Sequence, residues 1–323
     1  MPEICVQRKE DLKDADKESL NLGYFSIAAK ELREDGLVRN QYLQQFKEWI
    51  QQNRDIENCI TDDNFLLRFL RTKKFSLPMA QQMLLKYLNF RRVFKSICYD
   101  LDYRNPNVND LINRGFMFVS PYRDLHDRRI IMCIPNKIDP YKHTTVDVAK
   151  VAIITLETLL NDEKNQVLGV TYVGDGSGVT PAYVAMWNVT EFATLLKWGE
   201  HSYPIRHKAF NFTNVPRALK YVLDFAKSRL SPKLQQRLNV FEGESDLHKV
   251  IDSKSLPKEY GGEMDASKMI ELWKEELEAK RERLLSFDTM KLLSDKGIIT
   301  RRRAANFNDI TGLSGSFRKL EVD

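Results

Sequence analysis

No run in this sequence approaches the roughly 18 consecutive apolar residues that suggest a membrane-spanning helix. Its most apolar helical stretch, Val148 to Leu160, is interrupted by Lys150, Thr155, Glu157 and Thr158. The amino terminus, Met1 to Lys17, is charged throughout and lacks the apolar core of a secretory signal. A cytosolic chain is therefore expected, and the sequons at Asn188 and Asn211 carry no meaning without a secretory route. Cysteine is scarce. Cys5, Cys59, Cys98 and Cys133 stand far apart with no CxxC and no Cys/His ligand spacing, so reduced, structural thiols are expected. His126, His143, His201, His207 and His248 form no HExxH, and no metal site or cofactor is expected.

Nucleotide and hydrolase chemistry also lack their minimum parts. Gly174-Asp175-Gly176-Ser177-Gly178 follows a predicted strand, yet it has no third glycine of GxGxxG, no Gly-Lys-Ser/Thr and no GxSxG elbow. A strand-to-helix turn accounts for it. The expectation is a protein that is not an enzyme; an enzyme of unfamiliar type is a rival that no motif supports.

What is present is an ordinary globular composition. The 323 residues are 42% hydrophobic and 29% charged, enough for one large core and a smaller helical appendage. Residues up to Arg39 are polar with little periodicity. From Gln41, Leu43, Phe46 and Ile50 recur at helical steps. A second helix starts at Asp62 or Asp63 with Phe65, Leu66, Phe69 and Leu70. Pro78 opens a third carrying Ala80, Met83, Leu84, Tyr87 and Leu88. After Asp110, β-rich runs (Phe116 to Ser120, Arg129 to Ile134, Leu168 to Val173, Ala209 to Phe212, Leu238 to Phe241) alternate with helical ones. The helical runs are Val146 to Asn161, Pro181 to Trp198 and Pro216 to Leu230. That alternation predicts an α/β domain with a largely parallel sheet. Asp265 to Arg283 reads as a charged amphipathic helix, followed by a polar tail with Arg301 to Arg303. The expected units are residues 1–40, 41–95, 108–265 and 266–323.

The net charge of +5 is concentrated rather than spread. On Pro216 to Leu230 an apolar stripe of Leu219, Val222, Leu223, Ala226 and Leu230 is flanked by Arg217, Lys220, Lys227 and Arg229. Ser231-Pro232 opens the next helix, bringing Lys233 and Arg237, and His201, Arg206, His207 and Lys208 lie just upstream. A core-facing helix with a solvated outer face explains the same spacing. The alternative is attraction to an anionic membrane, about 1 kcal/mol per basic side chain. Nucleic acid fits less well, because no aromatics interleave the charges.

Four motifs in order resemble the CRAL-TRIO family over Gln41 to Glu263. They are Phe65-Leu66-Leu67-Arg68-Phe69-Leu70-Arg71 with Lys73-Lys74-Phe75; Asp175 to Gly178; Tyr203-Pro204 followed by Asn214-Val215-Pro216; and Leu256-Pro257-x-Glu259-Tyr260-Gly261-Gly262. Within the family the chain resembles the branch of the alpha-tocopherol transfer protein, clavesin and cellular retinaldehyde-binding protein, and Gly315 to Leu320 resembles insect members of it. The resemblance implies a mixed, mostly parallel sheet with helices around an apolar cavity, closed by a lid helix and preceded by a small helical bundle. Carried over, the lid is Pro216 to Leu230. The cavity is lined by Ala149, Ala152, Ile153, Leu156, Val170, Tyr172, Gly174, Val179, Leu195, Tyr203, His207 and Phe210, with the lid's apolar stripe; plain core packing is the rival for each. Ala152 and Leu156 stand where the tocopherol carrier has serines, Gly174 replaces a large aromatic and Val179 a tryptophan, implying a less polar and locally roomier pocket.

The resemblance also implies phosphoinositide contacts at Lys73, Arg206, Lys208, Lys233 and Arg237, with Gln82 in place of a further arginine. An internal phosphatidylinositol headgroup site is matched only by Lys73, Lys74 and Lys227, since Ile205 replaces its acidic partner. Implied overall is a monomeric carrier of one hydrophobic lipid, retinoid-, tocopherol-, carotenoid- or phospholipid-like, that visits phosphoinositide-containing membranes reversibly. A lipid-sensing adaptor without net transport is the rival within the same resemblance.

Overall fold

A computed structural model describes residues 23–186 and 189–299 of the chain. The stretch that reads as polar is helical from residue 23: α1 (residues 23–32) ends in a π-wound turn, Ala28–Leu32. Tyr24, Ile27, Ala28 and Leu32 give it one narrow apolar face, which packs on Val167 and Leu168 as a satellite core. In α2 (Gly36–Gln52) the first amides, of Leu37 and Val38, each donate to the Asp35 carboxylate at 2.9 Å, and Leu43, Phe46 and Ile50 are buried.

Asp62 caps α3 (Asp63–Thr72) in the same way, and α4 (Leu77–Val93) carries Pro78 in its first turn, where a missing N–H costs nothing. Two successive left-handed residues, Lys74 at φ 51° and Phe75 at φ 56°, end α3. Each costs on the order of 1 kcal/mol, and burial of Phe75, 4% exposed, offsets this. The strand β1 (Ile56–Glu57) pairs antiparallel with β7 (Lys291–Leu292), and so holds the end of the described chain on the bundle.

The short α5 (Lys95–Cys98) and α6 (Pro106–Asn113) lead to a five-stranded sheet of order β2-β3-β4-β5-β6. Its first pair, β2 (Met117–Arg123) and β3 (Arg129–Cys133), is antiparallel. The pairings that follow to β4 (Val170–Asp175), β5 (His207–Thr213) and β6 (Leu238–Phe241) are all parallel. Helical crossovers join them: α7 (Thr145–Leu159) and α8 (Glu163–Leu168), α9 (Pro181–Ala185) and α10 (Val189–Ser202), then α11 (Arg217–Arg229) and α12 (Pro232–Gln235). The helix expected from Pro181 to Trp198 is thus two, parted at 187–188, outside the described residues. After α13 (Glu244–Leu247), Gly262 lets the closing segment turn, since a Cβ there would lie 1.8 Å from the Leu256 carbonyl oxygen. The last helix, α14 (Ala266–Ser286), buries Met269, Trp273, Leu277 and Leu284 and packs on β2 and α7.

Bundle and sheet are joined by buried charge. Glu157 on α7 accepts from Arg68 Nη1 at 2.8 Å, Tyr87 Oη at 2.7 Å and Tyr203 Oη at 2.8 Å. Arg71 donates to both oxygens of Glu34, at 2.8 and 2.6 Å, and to Glu163 and Gln166 at 2.7 and 2.9 Å. The two faces of the sheet differ: Thr171, Val173, Asn211 and Thr213 are buried, while Tyr172, His207, Phe210 and Phe212 are only half-buried. Among the described residues no helix is long and apolar enough to cross a membrane.

Candidate functional site

The half-open face of β4 and β5 is an aromatic wall. Parallel register sets Tyr172 beside Phe210, whose rings stack at 4.6 Å, and Gly174 beside Phe212. The Tyr172 hydroxyl lies 2.8 Å from Nδ1 of His207. Burial, with the nearby Arg237 charge, pushes the His207 pKa down to about 4 from 6.5, so the imidazole is neutral at pH 7 and Nδ1 can accept. The unfolded chain therefore binds the extra proton first, and stability from this residue falls as pH drops from about 6.5 toward 4.

The roomier pocket expected at Gly174 is not found there. A Cβ on Gly174 would meet the Phe212 ring at 2.5 Å, so the cross-strand phenylalanine fills the space of the missing side chain. On α7, Ala152 and Leu156 are half-buried and Ala149 and Ile153 nearly closed off; Leu195 and Val179 are half-buried. Val170 is fully buried. Tyr203 sits in the core between Tyr87, Phe90 and Glu157, so the structure uses it as a tie rather than as a wall residue.

Helix α11 packs on α9 and α10. Its stripe turns inward: Val222 and Ala226 are buried, Leu219, Leu223 and the following Leu230 half-buried, and Tyr221 exposed. The chain enters α11 from Asn214, whose amide donates to Asp175 at 3.0 Å. Asp175 also accepts from Ser177 N–H and Oγ at 3.0 and 2.7 Å and from Tyr260 Oη at 2.9 Å. Burial alone would raise its pKa, but these bonds outweigh that and hold the carboxyl below its usual range. The glycine-rich turn is thus a knot of the protein's own groups tying the root of α11 to the closing segment.

A basic cluster lies at the other end of β5. Burial lowers the pKa of Lys73, and Lys86 and Lys233 lower it further. Lys233 feels burial, then Arg237, Arg206 and Lys74; Arg237 feels burial, then Arg206. Burial and Arg206 push Lys208 down to about 8. Such mutual repulsion requires proximity, so the five residues expected from three stretches share one neighbourhood. Arg237 is fixed there by its guanidinium bond to the His207 carbonyl oxygen, and its own carbonyl accepts from Phe210 N–H at 2.8 Å.

Among the described residues the side chains of Lys73, Lys233 and Arg128 have no hydrogen bond or ion pair. Arg128, in the β2–β3 turn, was not among the expected residues; burial lowers its pKa, the Asp124 and Glu31 carboxylates oppose that, and the Arg237 and Arg206 charges add to it. Gln82 instead holds the last described residues, donating to the Gly297 carbonyl oxygen at 3.0 Å and accepting from Ile299 N–H at 2.8 Å. Ile205 is buried and Lys227 half-buried on α11.

Burial pushes the thiols of Cys59, Cys98 and Cys133 up to about 12, so they are protonated at neutral pH and poor nucleophiles. Among the described residues no group of three or more His, Cys, Asp or Glu could hold a metal ion.

Two family models match: a CRAL/TRIO N-terminal domain over residues 41–86 and a CRAL/TRIO domain over residues 113–262. The alpha-tocopherol transfer protein-like protein of Mus musculus is 28% identical over 245 residues, covering 76% of this chain and 71% of that protein. Clavesin-1 of Xenopus laevis is 27% identical over 233 residues, covering 72% of this chain and 70% of its own. The crystal structure of Sfh5 aligns with a TM-score of 0.52 at 16% identity, over 78% of this chain and 99% of that one, a likeness of fold alone.

Proposed function

We propose, since this chain belongs to the CRAL-TRIO family, that it is a non-enzymatic carrier enclosing one hydrophobic lipid behind α11 and docking reversibly on phosphoinositide-containing membranes. The family binds hydrophobic ligands. The observation that carries the reading is the one-sided burial of β4 and β5, where apolar side chains stop short of closure on one face only. An apolar ligand covering ~300 Å² of such surface gains roughly 7 kcal/mol. The printed name of the alpha-tocopherol transfer protein-like relative supports a transfer role. Ala152 and Leu156, both half-buried on α7, carry no hydroxyl, which favours a cargo of low polarity such as a retinoid, carotenoid or tocopherol-like isoprenoid over a phospholipid.

Docking is supported by the basic cluster. Lys73 sits among other cations, and Lys233 feels Arg237, Arg206 and Lys74 ahead of Glu200, an acid with which it makes no ion pair. A multiply charged phosphate headgroup stabilises such an arrangement through charge-assisted bonds. Changing Lys233 and Arg237 together to Ala is expected to weaken binding to vesicles containing phosphatidylinositol bisphosphate about tenfold or more. Cargo binding in detergent stays unchanged. Arg302 and Arg303, outside the described residues, serve as the control pair: equal weakening from both pairs in sedimentation assays would reduce the cluster to a diffuse positive charge.

A further inference from the structure

Glu200 acts on Lys233 and Asp124 on Arg128 from a distance, but one carboxylate bonds the cluster's own cations directly. Glu31, in the π-wound turn of α1, lies 2.6 Å from Nη2 of Arg206 and 3.4 Å from Nζ of Lys208. Arg206 is in turn held by the Val167 carbonyl oxygen. The Arg206 hydrogen bond is the main reason the Glu31 carboxyl stays below its ordinary range.

Glu31 is not placed there by its own long side chain alone. Ala28 and Leu32, on either side of it, are buried against Val167 and Leu168. Glu34, three residues on, makes the buried two-pronged pair with Arg71. The helix is therefore fixed in front of the cluster, and beside it a groove of about 400 Å³ opens between α1 and the β2–β3 turn, lined by Tyr24, Glu31, His126, Arg128 and Lys208 among others.

Glu31 supplies to Arg206 and Lys208 what a phosphate would supply: an anionic oxygen within bonding distance of both. We propose that Glu31 is a specificity-determining residue of the docking surface, an internal carboxylate that an incoming headgroup must displace or outcompete. This rests on the docking function proposed above and adds its selectivity. A headgroup with a single diester phosphate exchanges one anion for another at Arg206 and Lys208 and gains little. A headgroup bearing further phosphomonoesters also reaches Lys73, Lys233, Arg237 and Arg128, on which Glu31 and Asp124 act without an ion pair, and the additional contacts outweigh the displaced ion pair. Discrimination among lipids thus comes from an acid placed inside a basic site, a device that penalises the weaker partner.

The test is sedimentation with phosphatidylcholine vesicles containing either phosphatidylinositol or phosphatidylinositol bisphosphate. Wild type, Glu31→Gln and a control, Glu275→Gln, which removes an exposed acid on α14, are compared. Glutamine keeps an acceptor for Arg206, so the fold is retained; circular dichroism and thermal unfolding verify it. The expected result is a roughly fivefold gain for Glu31→Gln on phosphatidylinositol vesicles, with a smaller gain on the bisphosphate, so that the ratio between the two narrows. Soluble inositol trisphosphate as competitor separates a headgroup site from a mere lipid surface: strong competition against bisphosphate vesicles in wild type and Glu31→Gln alike supports a headgroup site that Glu31 screens, and no competition in either overturns it. If wild type prefers the bisphosphate but Glu31→Gln behaves like Glu275→Gln, the selectivity role is overturned and docking stands. If wild type itself binds the two vesicles alike, docking fails and the role of Glu31 with it.

Discussion

Replacing Glu157 with alanine is expected to cost about 3–5 kcal/mol of folding stability, the range for breaking a buried ion pair on one side only. Glu157 and Arg68 are both 0% exposed and 2.8 Å apart. Nε and Nη2 of Arg68 have no partner, so once the carboxylate is gone the guanidinium keeps only the faces of Phe65 and Phe287, 4.8 and 5.8 Å away. The hydroxyls of Tyr87 and Tyr203 lose their acceptor in the same step. These four residues belong to α3, α4, α7 and the segment after α10, so what loosens is the joint between the bundle and the sheet domain. Denaturant unfolding measures it. Glu271→Ala, which removes the exposed partner of Lys268, should change stability by less than about 1 kcal/mol. Replacing Arg68 and Glu157 together by Met should recover much of the loss, because the charge and its desolvation disappear as a pair. A cost below about 1 kcal/mol for Glu157→Ala would show that Arg68 finds water or another partner.

The second large effect is on cargo. Leu223→Asp sets a carboxylate in the inward stripe of α11, beside the buried Val222 and Ala226. An ionised side chain there costs several kcal/mol if it stays against an apolar ligand. Water must enter or the helix must swing outward, and either releases the lipid. The expected outcome is at least a hundredfold loss of cargo retention with the circular dichroism spectrum largely unchanged. Gross unfolding of the variant would make α11 an ordinary core helix and remove the lid.

Much of the fold was legible because its elements carry period. The stripe of α11 and the runs of β3, β5 and β6 could be placed to within a few residues, since burial of one face demands the repeat that the sequence displays. Helix α1 was not, because its apolar face is only Tyr24, Ile27, Ala28 and Leu32 in a polar stretch, and it packs on a satellite core rather than the main one. The arginines of Phe65 to Arg71 were visible only as polar positions in an apolar helix. Their burial depends on Glu157 and Glu34, 89 and 37 residues away, and no local signal specifies such partners. Gly174 misled for the same reason: the ring that fills its space belongs to Phe212, a neighbour only once the register of β4 and β5 is set. The five cations were identified through the family resemblance, but Glu31, 175 residues from Arg206, had nothing in the sequence to connect it to them.

The most direct measurement is mass spectrometry of organic extracts from protein purified natively without detergent, with the lipid quantified against the chain. A carrier yields close to one molecule of a single class of apolar lipid per chain, retained through gel filtration and lost from Leu223→Asp. Well-folded protein that yields only background membrane phospholipid, in equal and substoichiometric amounts from wild type and variant, contradicts it.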